Sequence, residues 1–470
     1  MSKLQHLSPV RVFTHFETLC GIPHGSGNTA GVSAWCEAFA KERGLWCHRD
    51  SLGSVIIKKP ASVGYETHPP VILQAHLDMV CEKAEDCPID FTKDGLDLAI
   101  DGEWIFARGT TLGADDGIGV AIALAVLEDT TLAHPPLEVL LTVDEETGMY
   151  GAEGLDGSLL SGRRLINLDT GEEGVFTAGC AGGARVDITL PTEYEENALP
   201  CYAIAVDGLQ GGHSGVEIHQ ERTNASIVLG QFLATLPQAH IVRIDGGCKG
   251  NVIPSEANCV VACDTDISAA ATAFAAAHRT EGDPNLRFTV TPAQQADRRM
   301  TAATTNRVTA FLSTVPNGVM AMSKDMAGLV ETSLNLGVLS TTAEGVYAHI
   351  SVRSSVESEK MALLARLETF AAQFGADYAA GAHYPGWAFD PNSALRQVLV
   401  DTWVQHSDKP VQVVAVHAGL ECGLFCEKLS GLDAVSMGPN MQDIHTHRER
   451  LHIPSVGRVY TFLCDALSRL

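Results

Sequence analysis

The sequence predicts an α/β protein with a mixed, partly parallel sheet and covering helices, interrupted by an inserted α+β segment. Three observations predict it. Apolar runs rich in Val, Ile and Leu, VILQAHLD (71–78), LEVLLTVDEE (137–146) and RRLINLD (163–169), alternate with helical patterns in the first part of the chain, the rhythm of a helix-covered sheet. After the glycine-rich TAGCAGGA (177–184) the pattern changes, and from about 386 the first pattern returns. One domain is therefore expected over 1–184 and 385–470, and an insertion over 185–384.

Taken in order, ADDGIGVAIALAVLED (114–129) reads as a loop feeding a largely buried helix between the first two strands. In the insertion, RVDITLP and CYAIAVDGL read as antiparallel strands. RTNASIVLGQFLATL reads as an amphipathic helix, and DISAAATAFAAAHR as an Ala-rich helix ended by the EGDPN turn. LNLGVL and GVYAHISVR, joined by STTAE, form a hairpin, and GADYAAGAHYPGW (375–387) is expected to be a flexible closing segment. A helix in NSALRQVLVDTWVQH and strands in VQVVAVHAG and LDAVSM follow. No fixed-period repeat is present.

Composition narrows the function classes. The chain has 470 residues, 45% of them hydrophobic, with a formal charge of -25, which suits a globular protein of more than one domain. The acidic excess runs along the whole length and argues against nucleic-acid binding, which needs clustered Lys and Arg. The opening MSKLQHLSPVRVFTHFETLCG has no apolar targeting core, and GIGVAIALAVL (117–127) is too short to span a bilayer. A cytoplasmic protein without membrane contact is expected. Thirteen cysteines without a CxxC pair read as buried thiols in a reducing compartment, with a disulfide framework or a zinc-thiolate site as the lesser alternative.

The ionisable residues fall in one pattern. His76 and Asp78 end the first strand run, Asp115 and Asp116 follow in GADDG, Glu145 and Glu146 end the next run, and Asp169 ends INLD. Singly, each has an ordinary explanation as a surface pair, a turn or a helix cap. Jointly, all four clusters occupy the carboxyl ends of strands or the loops that follow, where open α/β sheets build ligand sites. Adjacent carboxylates behind a buried run are costly unless something neutralises them. Imidazole with this many acids suits Zn, Mn or Co, and suggests two divalent cations sharing a carboxylate. Only one of Glu145 and Glu146 can comfortably ligate, which leaves the other free to take a proton. The late MQDIHTHRERLHIP offers His445, His447 and His452, and His445 closes the site if the last segment returns to the first domain.

At QAHLDMV, LGADDGIGVA, DEETGM, NLDTGEEG, GCAGG, GGHSGVEIH and HAGLECGLF the chain resembles the M20 metallopeptidases, nearly end to end, and within them the aminoacyl-histidine dipeptidase branch. The resemblance implies two metal ions, Zn with Mn or Co as alternatives, in a catalytic domain interrupted by a lid and dimerisation domain. His76, Asp169 and a bridging Asp115 would hold one ion, and Glu146 and His445 the other. Asp78 would orient His76. Glu145 would be the general base, activating a metal-bridging water and passing its proton to the leaving amine. His213 in GGHSG would stabilise the tetrahedral oxyanion, and its glycine neighbours permit close approach. Asn251 and Arg353 would bind the substrate, the Arg through a terminal carboxylate, and Glu421 would meet its amino group or imidazole.

The family usually reads His-Ser-Pro-x-Glu at the last ligand, where this chain has HTHRE, with His445 and Glu449 aligned and the Pro lost. The implied function is hydrolysis of Xaa-His and related dipeptides, with a small peptide as substrate and a homodimer as the assembly. The alternatives are an M20-type tripeptidase, an aminopeptidase or an N-acyl amino acid deacylase. A non-catalytic metal-binding protein would be expected to lack Glu145 or Asp115, and both are present.

Overall fold

The computed structural model describes residues 2–470. They divide into two compact units: one runs up to Gly179 and adds Phe389–Ala415 and Leu420–Leu470, and the other comprises Cys180–Ala388 and Val416–Gly419.

The first unit is built on an eight-stranded sheet in the order Trp46–Arg49, Val55–Lys59, Leu137–Thr142, Val71–His76, Arg164–Asn167, Asp433–Ser436, Val175–Cys180, Gln412–Val416. Its four middle members, from Leu137–Thr142 to Asp433–Ser436, are mutually parallel, and Trp46–Arg49, Val55–Lys59 and Val175–Cys180 pair antiparallel with their inner neighbours. Every residue of Val71–His76 and Leu137–Thr142 is buried, as expected of parallel strands covered on both faces. The helix Ala114–Glu128 is buried along its whole apolar run Gly117–Leu127; being hydrophobic all round, it belongs inside the core. Its entry is irregular: Asp115 and Asp116 have non-helical dihedrals and are joined by a cis peptide. The strand over LEVLLT stops at Thr142, and a left-handed Asp144 turns the chain into the short helix Glu145–Gly148.

The second unit is an antiparallel sheet in the order Arg287–Pro292, Cys201–Asp207, Ala257–Ala262, His240–Gly246, Val330–Thr341, Val346–Ser354, Gly182–Leu190, Asp377–Tyr384, with Gly318–Met322 beside Val330–Thr341. Helices Ala225–Ala234, Ala302–Thr314 and Glu357–Gln373 give it Phe232, Phe311 and Leu367 as core. The hairpin expected around STTAE is present, its strands reaching back to Val330 and on to Ser354. GADYAAGAHYPGW differs from expectation: Asp377–Tyr384 is an edge strand on Gly182–Leu190. Its Ala and Gly residues carry little strand signal, so the pairing comes from the partner strand rather than from local propensity.

Of the thirteen cysteines seven are buried, whereas Cys81 and Cys248 are exposed. Among the described residues no helix is long and apolar enough to cross a membrane.

Candidate metal centre

The carboxyl ends of the four parallel strands lie side by side, and each delivers part of one cluster. Val71–His76 ends in His76 and leads to Asp78, Leu137–Thr142 leads to Glu145 and Glu146, and Arg164–Asn167 leads to Asp169. Asp433–Ser436 leads through a Gly-Pro turn to the hairpin whose strands Met441–Gln442 and Arg450–His452 flank His445. Asp115 comes from the irregular start of the buried helix.

His76 is 1% exposed. Its Nδ1 lies 3.0 Å from the Asp78 carbonyl oxygen; a carbonyl only accepts, so Nδ1 carries a proton and Nε2 is the nitrogen turned toward the acidic cluster. That Nε2 is 3.1 Å from Asp115 Oδ1 and 3.9 Å from Asp169 Oδ1. His445 Nε2 is 2.7 Å from Glu146 Oε1 and 3.2 Å from Asp115 Oδ2. The two oxygens of Asp115 thus face two different imidazoles.

Asp78, also buried, ties the first loops together. It accepts from Ser26 Oγ at 2.8 Å and from the backbone N–H groups of Glu145 at 3.0 Å and Glu146 at 3.3 Å. Burial opposes its charge, but the bonds from His76 and Ser26 hold its carboxyl below the usual range. Asp116 turns inward, accepting from His76 N at 3.3 Å and Gly119 N at 3.2 Å. The adjacent aspartates therefore separate into one that faces the histidines and one that braces the backbone.

The electrostatics ask for positive charge. Burial works against a charged His76, yet Asp115 and Asp78 raise its pKa well above the ordinary value. His445 is pushed up to about 10 by its bonds with Asp115 and Glu146. Burial and the charges of Asp115 and Asp116 raise Asp169, and burial with Glu146 and Asp115 against the pull of His76 brings Glu145 to about 7. Groups that gather protons this strongly suit a divalent cation. Ligand atoms of His76, Asp115 and Glu146 all lie within 4.8 Å of one another, close enough to share one, so the donor set fits a metal.

Glu421 is 3% exposed and starts the helix Glu421–Lys428. Its Oε2 accepts from Gln74 Nε2 at 2.7 Å and Thr142 Oγ1 at 2.8 Å, whereas Oε1 has no partner. Any substrate contact by Glu421 must therefore use Oε1. Burial and the charge of Glu145 raise its pKa to about 8. His447 is exposed and stands outside the His76–Asp115–Glu146 group.

His213, Asn251 and Arg353 belong to the second unit. His213 Nδ1 accepts from the N–H groups of Gly215 at 3.1 Å and Val216 at 3.2 Å, which leaves the proton on Nε2. Burial and the charge of Arg353 lower its pKa, keeping the ring neutral. Asn251 is exposed and accepts from Ser214 N through its backbone carbonyl at 2.9 Å, next to the two-residue ladder that pairs Gly212–His213 with Val252–Ile253. Arg353 is 8% exposed, donates to Tyr384 Oη at 3.1 Å and has an unpartnered Nε.

Sequence reasoning passed over Ser26, Gln74, Thr142 and Tyr384, which carry no motif of their own, and gave Asp116 no separate role.

A parallel α/β sheet with imidazoles and carboxylates gathered at its carboxyl end is the architecture of a metallohydrolase. The chain matches the model of peptidase family M20/M25/M40 over residues 72–469 and belongs to that family. It is 39% identical over 484 aligned positions to the cytosol non-specific dipeptidase of Escherichia coli, covering 100% of this chain and 99% of that one. The solved aminoacylhistidine dipeptidase of Vibrio alginolyticus superposes with a TM-score of 0.95 at 36% identity, covering 100% and 98%. The aminopeptidase PepT of Bacillus cereus, at 17% identity, a TM-score of 0.57 and 98% coverage of each chain, shares the fold.

Proposed function

We propose that the protein is a cytoplasmic, metal-dependent dipeptidase that hydrolyses dipeptides, Xaa-His among them, with Glu145 as general base. The observation that carries this is Asp115, whose two oxygens face His76 and His445 separately. His76, Asp169 and Asp115 would hold one divalent cation and His445, Glu146 and Asp115 a second, and such a pair, when bound, polarises the substrate carbonyl and makes a water nucleophilic near neutral pH. A nitrogen and carboxylate donor set suits Zn, with Mn or Co as alternatives.

The chain's own residues do the rest. Glu145 is held at the site by its backbone bond to Asp78, and a carboxylate placed there can take a proton and return it. It accepts the proton of the attacking water and hands it to the leaving amine. Asp78 fixes the tautomer of His76. The neutral His213, with its proton on Nε2, is suited to donate to the developing oxyanion. Arg353, which donates to a tyrosine hydroxyl, has the fork a terminal carboxylate needs, and Asn251 completes the substrate contacts. The two dipeptidase relatives support the substrate class.

The test is release of histidine from β-alanyl-histidine by protein loaded with Zn, then treated with chelator, beside Glu145→Ala. Metal-dependent release that falls by at least about 100-fold in the variant is expected. If the loaded wild type releases no histidine, the Xaa-His assignment fails, and tripeptides and N-acyl amino acids become the substrates to assay.

A further inference from the structure

Glu449 is 2% exposed, and both its oxygens are spent on one stretch of backbone. Oε2 accepts from the N–H groups of Leu112 at 2.7 Å and Gly113 at 3.1 Å, and Oε1 from those of Ala114 at 2.8 Å and Asp115 at 3.3 Å. These four consecutive donors precede the first regular turn of the helix, where no carbonyl of that helix can receive them. A buried N–H without a partner is costly, and one carboxylate satisfies all four. The last donor belongs to Asp115 itself.

The other end of this side chain lies in the loop that carries His445. There Thr446 N and Thr446 Oγ1 both donate to the Asp443 carbonyl, at 3.2 and 2.7 Å. Arg448 N donates to Thr446 Oγ1 at 3.1 Å, and Glu449 N to the Thr446 carbonyl at 3.0 Å. These bonds close a turn in which Asp443 and His445 are left-handed, with φ of 51° and 63°. Glu449 is rigidly based at one end and clamped to residues 112–115 at the other, 334 to 337 positions away in sequence.

We propose that Glu449 is a positioning residue that sets the separation of Asp115 and His445, and through it the affinity for the cation shared by His445, Glu146 and Asp115. This rests on the two-cation reading above. His76 is anchored by Asp78 and Asp116 rather than by Glu449, whereas the loop of His445 carries Glu449 itself, so loss of Glu449 acts mainly on the second cation.

The experiment is titration of the chelated full-length protein with Zn by calorimetry, counting sites and dissociation constants, for wild type and Glu449→Gln, with thermal unfolding of the chelated proteins alongside. Gln keeps the shape but turns an NH2 group toward two of the N–H donors. The expected result for the variant is a first site within about threefold of wild type and a second weakened about 10- to 100-fold. kcat should fall at limiting Zn, KM should stay nearly constant, and kcat should recover as Zn is raised. A purely structural role would lower the unfolding temperature and leave both dissociation constants unchanged; that result in a folded variant overturns the proposal. A wild type that takes up one cation brings down the two-cation reading, and the proposal with it. Should Glu449→Gln not fold, Glu449→Asp, which keeps the charge but shortens the reach, decides by the same comparison of the second site.

Discussion

Single residues at this centre are defined by what their second atom does. Glu421 is the clearest case, because one oxygen is fixed by Gln74 and Thr142 and the other has no partner. Gln74 is oriented in turn by Asn167, whose amide donates to Gln74 Oε1 at 2.5 Å, so Gln74 can only donate to Glu421. An unfolded glutamate titrates near 4.5, whereas burial and Glu145 raise Glu421 to about 8 in the fold. Between these values the folded chain holds the proton more tightly than the unfolded chain. The stabilisation is therefore complete below about pH 4.5 and is lost as pH rises through 8. Glu421→Gln cannot ionise but keeps an acceptor for Gln74 and Thr142. The difference in stability between wild type and variant should shift toward the variant by a few kcal/mol between pH 5 and 8. Urea unfolding of the chelated proteins at pH 5, 6.5 and 8 measures it, and a pH-independent difference would show that Glu421 is ionised throughout. Residue types of this kind were legible in the sequence; their partners were not. His76, Asp115 and Glu146 stood out because they pair imidazole and acid at strand ends. Ser26 and Gln74 did not, since a serine among glycines and a glutamine within a strand look like any others until the chain closes on itself.

Elements explain why so much of the centre was readable. Four adjacent parallel strands point their carboxyl ends the same way, so a run of Val, Ile and Leu followed by a carboxylate predicts both the strand and the ligand beyond it. The start of the buried helix was less legible, because ADDG gives no sign that one aspartate faces out and the other in. Gly119 makes that division possible. A Cβ there would lie 2.3 Å from Asp116 Oδ1 and 2.7 Å from Oδ2, and Asp116 is held by two backbone N–H groups in a fully buried position. Gly119→Ala, favourable in an ordinary helix, should here cost about 1–3 kcal/mol by overpacking and displace the backbone of His76. Chemical denaturation gives the stability loss, and Zn titration should show the His76 site weakened. An alanine variant as stable as wild type would mean that Asp116 can move without loss. The strand Asp377–Tyr384 lies at the opposite extreme: its residues encode no preference, and only the ladder to Gly182–Leu190 defines it.

At the scale of the whole molecule, each of the two units has a hydrophobic core of its own. One joins Phe13, Val71, Ile122, Val139 and Phe462, all in the first unit; the other joins Val186, Phe232, Ile244, Phe311 and Leu367, all in the second. The acidic cluster and its histidines belong entirely to the first. Without cations, Glu145, Asp169 and Asp115 repel one another across buried ground, and part of the folding energy of that unit goes into holding them together. A cation that binds the folded form alone adds RT ln(1 + [L]/Kd), about 4 kcal/mol per site at a thousandfold excess over Kd. None of the residues named here as cation ligands belongs to the second core. Scanning calorimetry of the Zn-loaded protein and of the same protein with chelator should therefore show two transitions, one lowered by metal removal and one unmoved. Proteolysis of the chelated protein just above the lower transition should cut first within the segments 2–179 and 420–470. A single transition that shifts as a whole would mean that the two units unfold as one cooperative body, and that the metal centre stabilises the second core as well as its own.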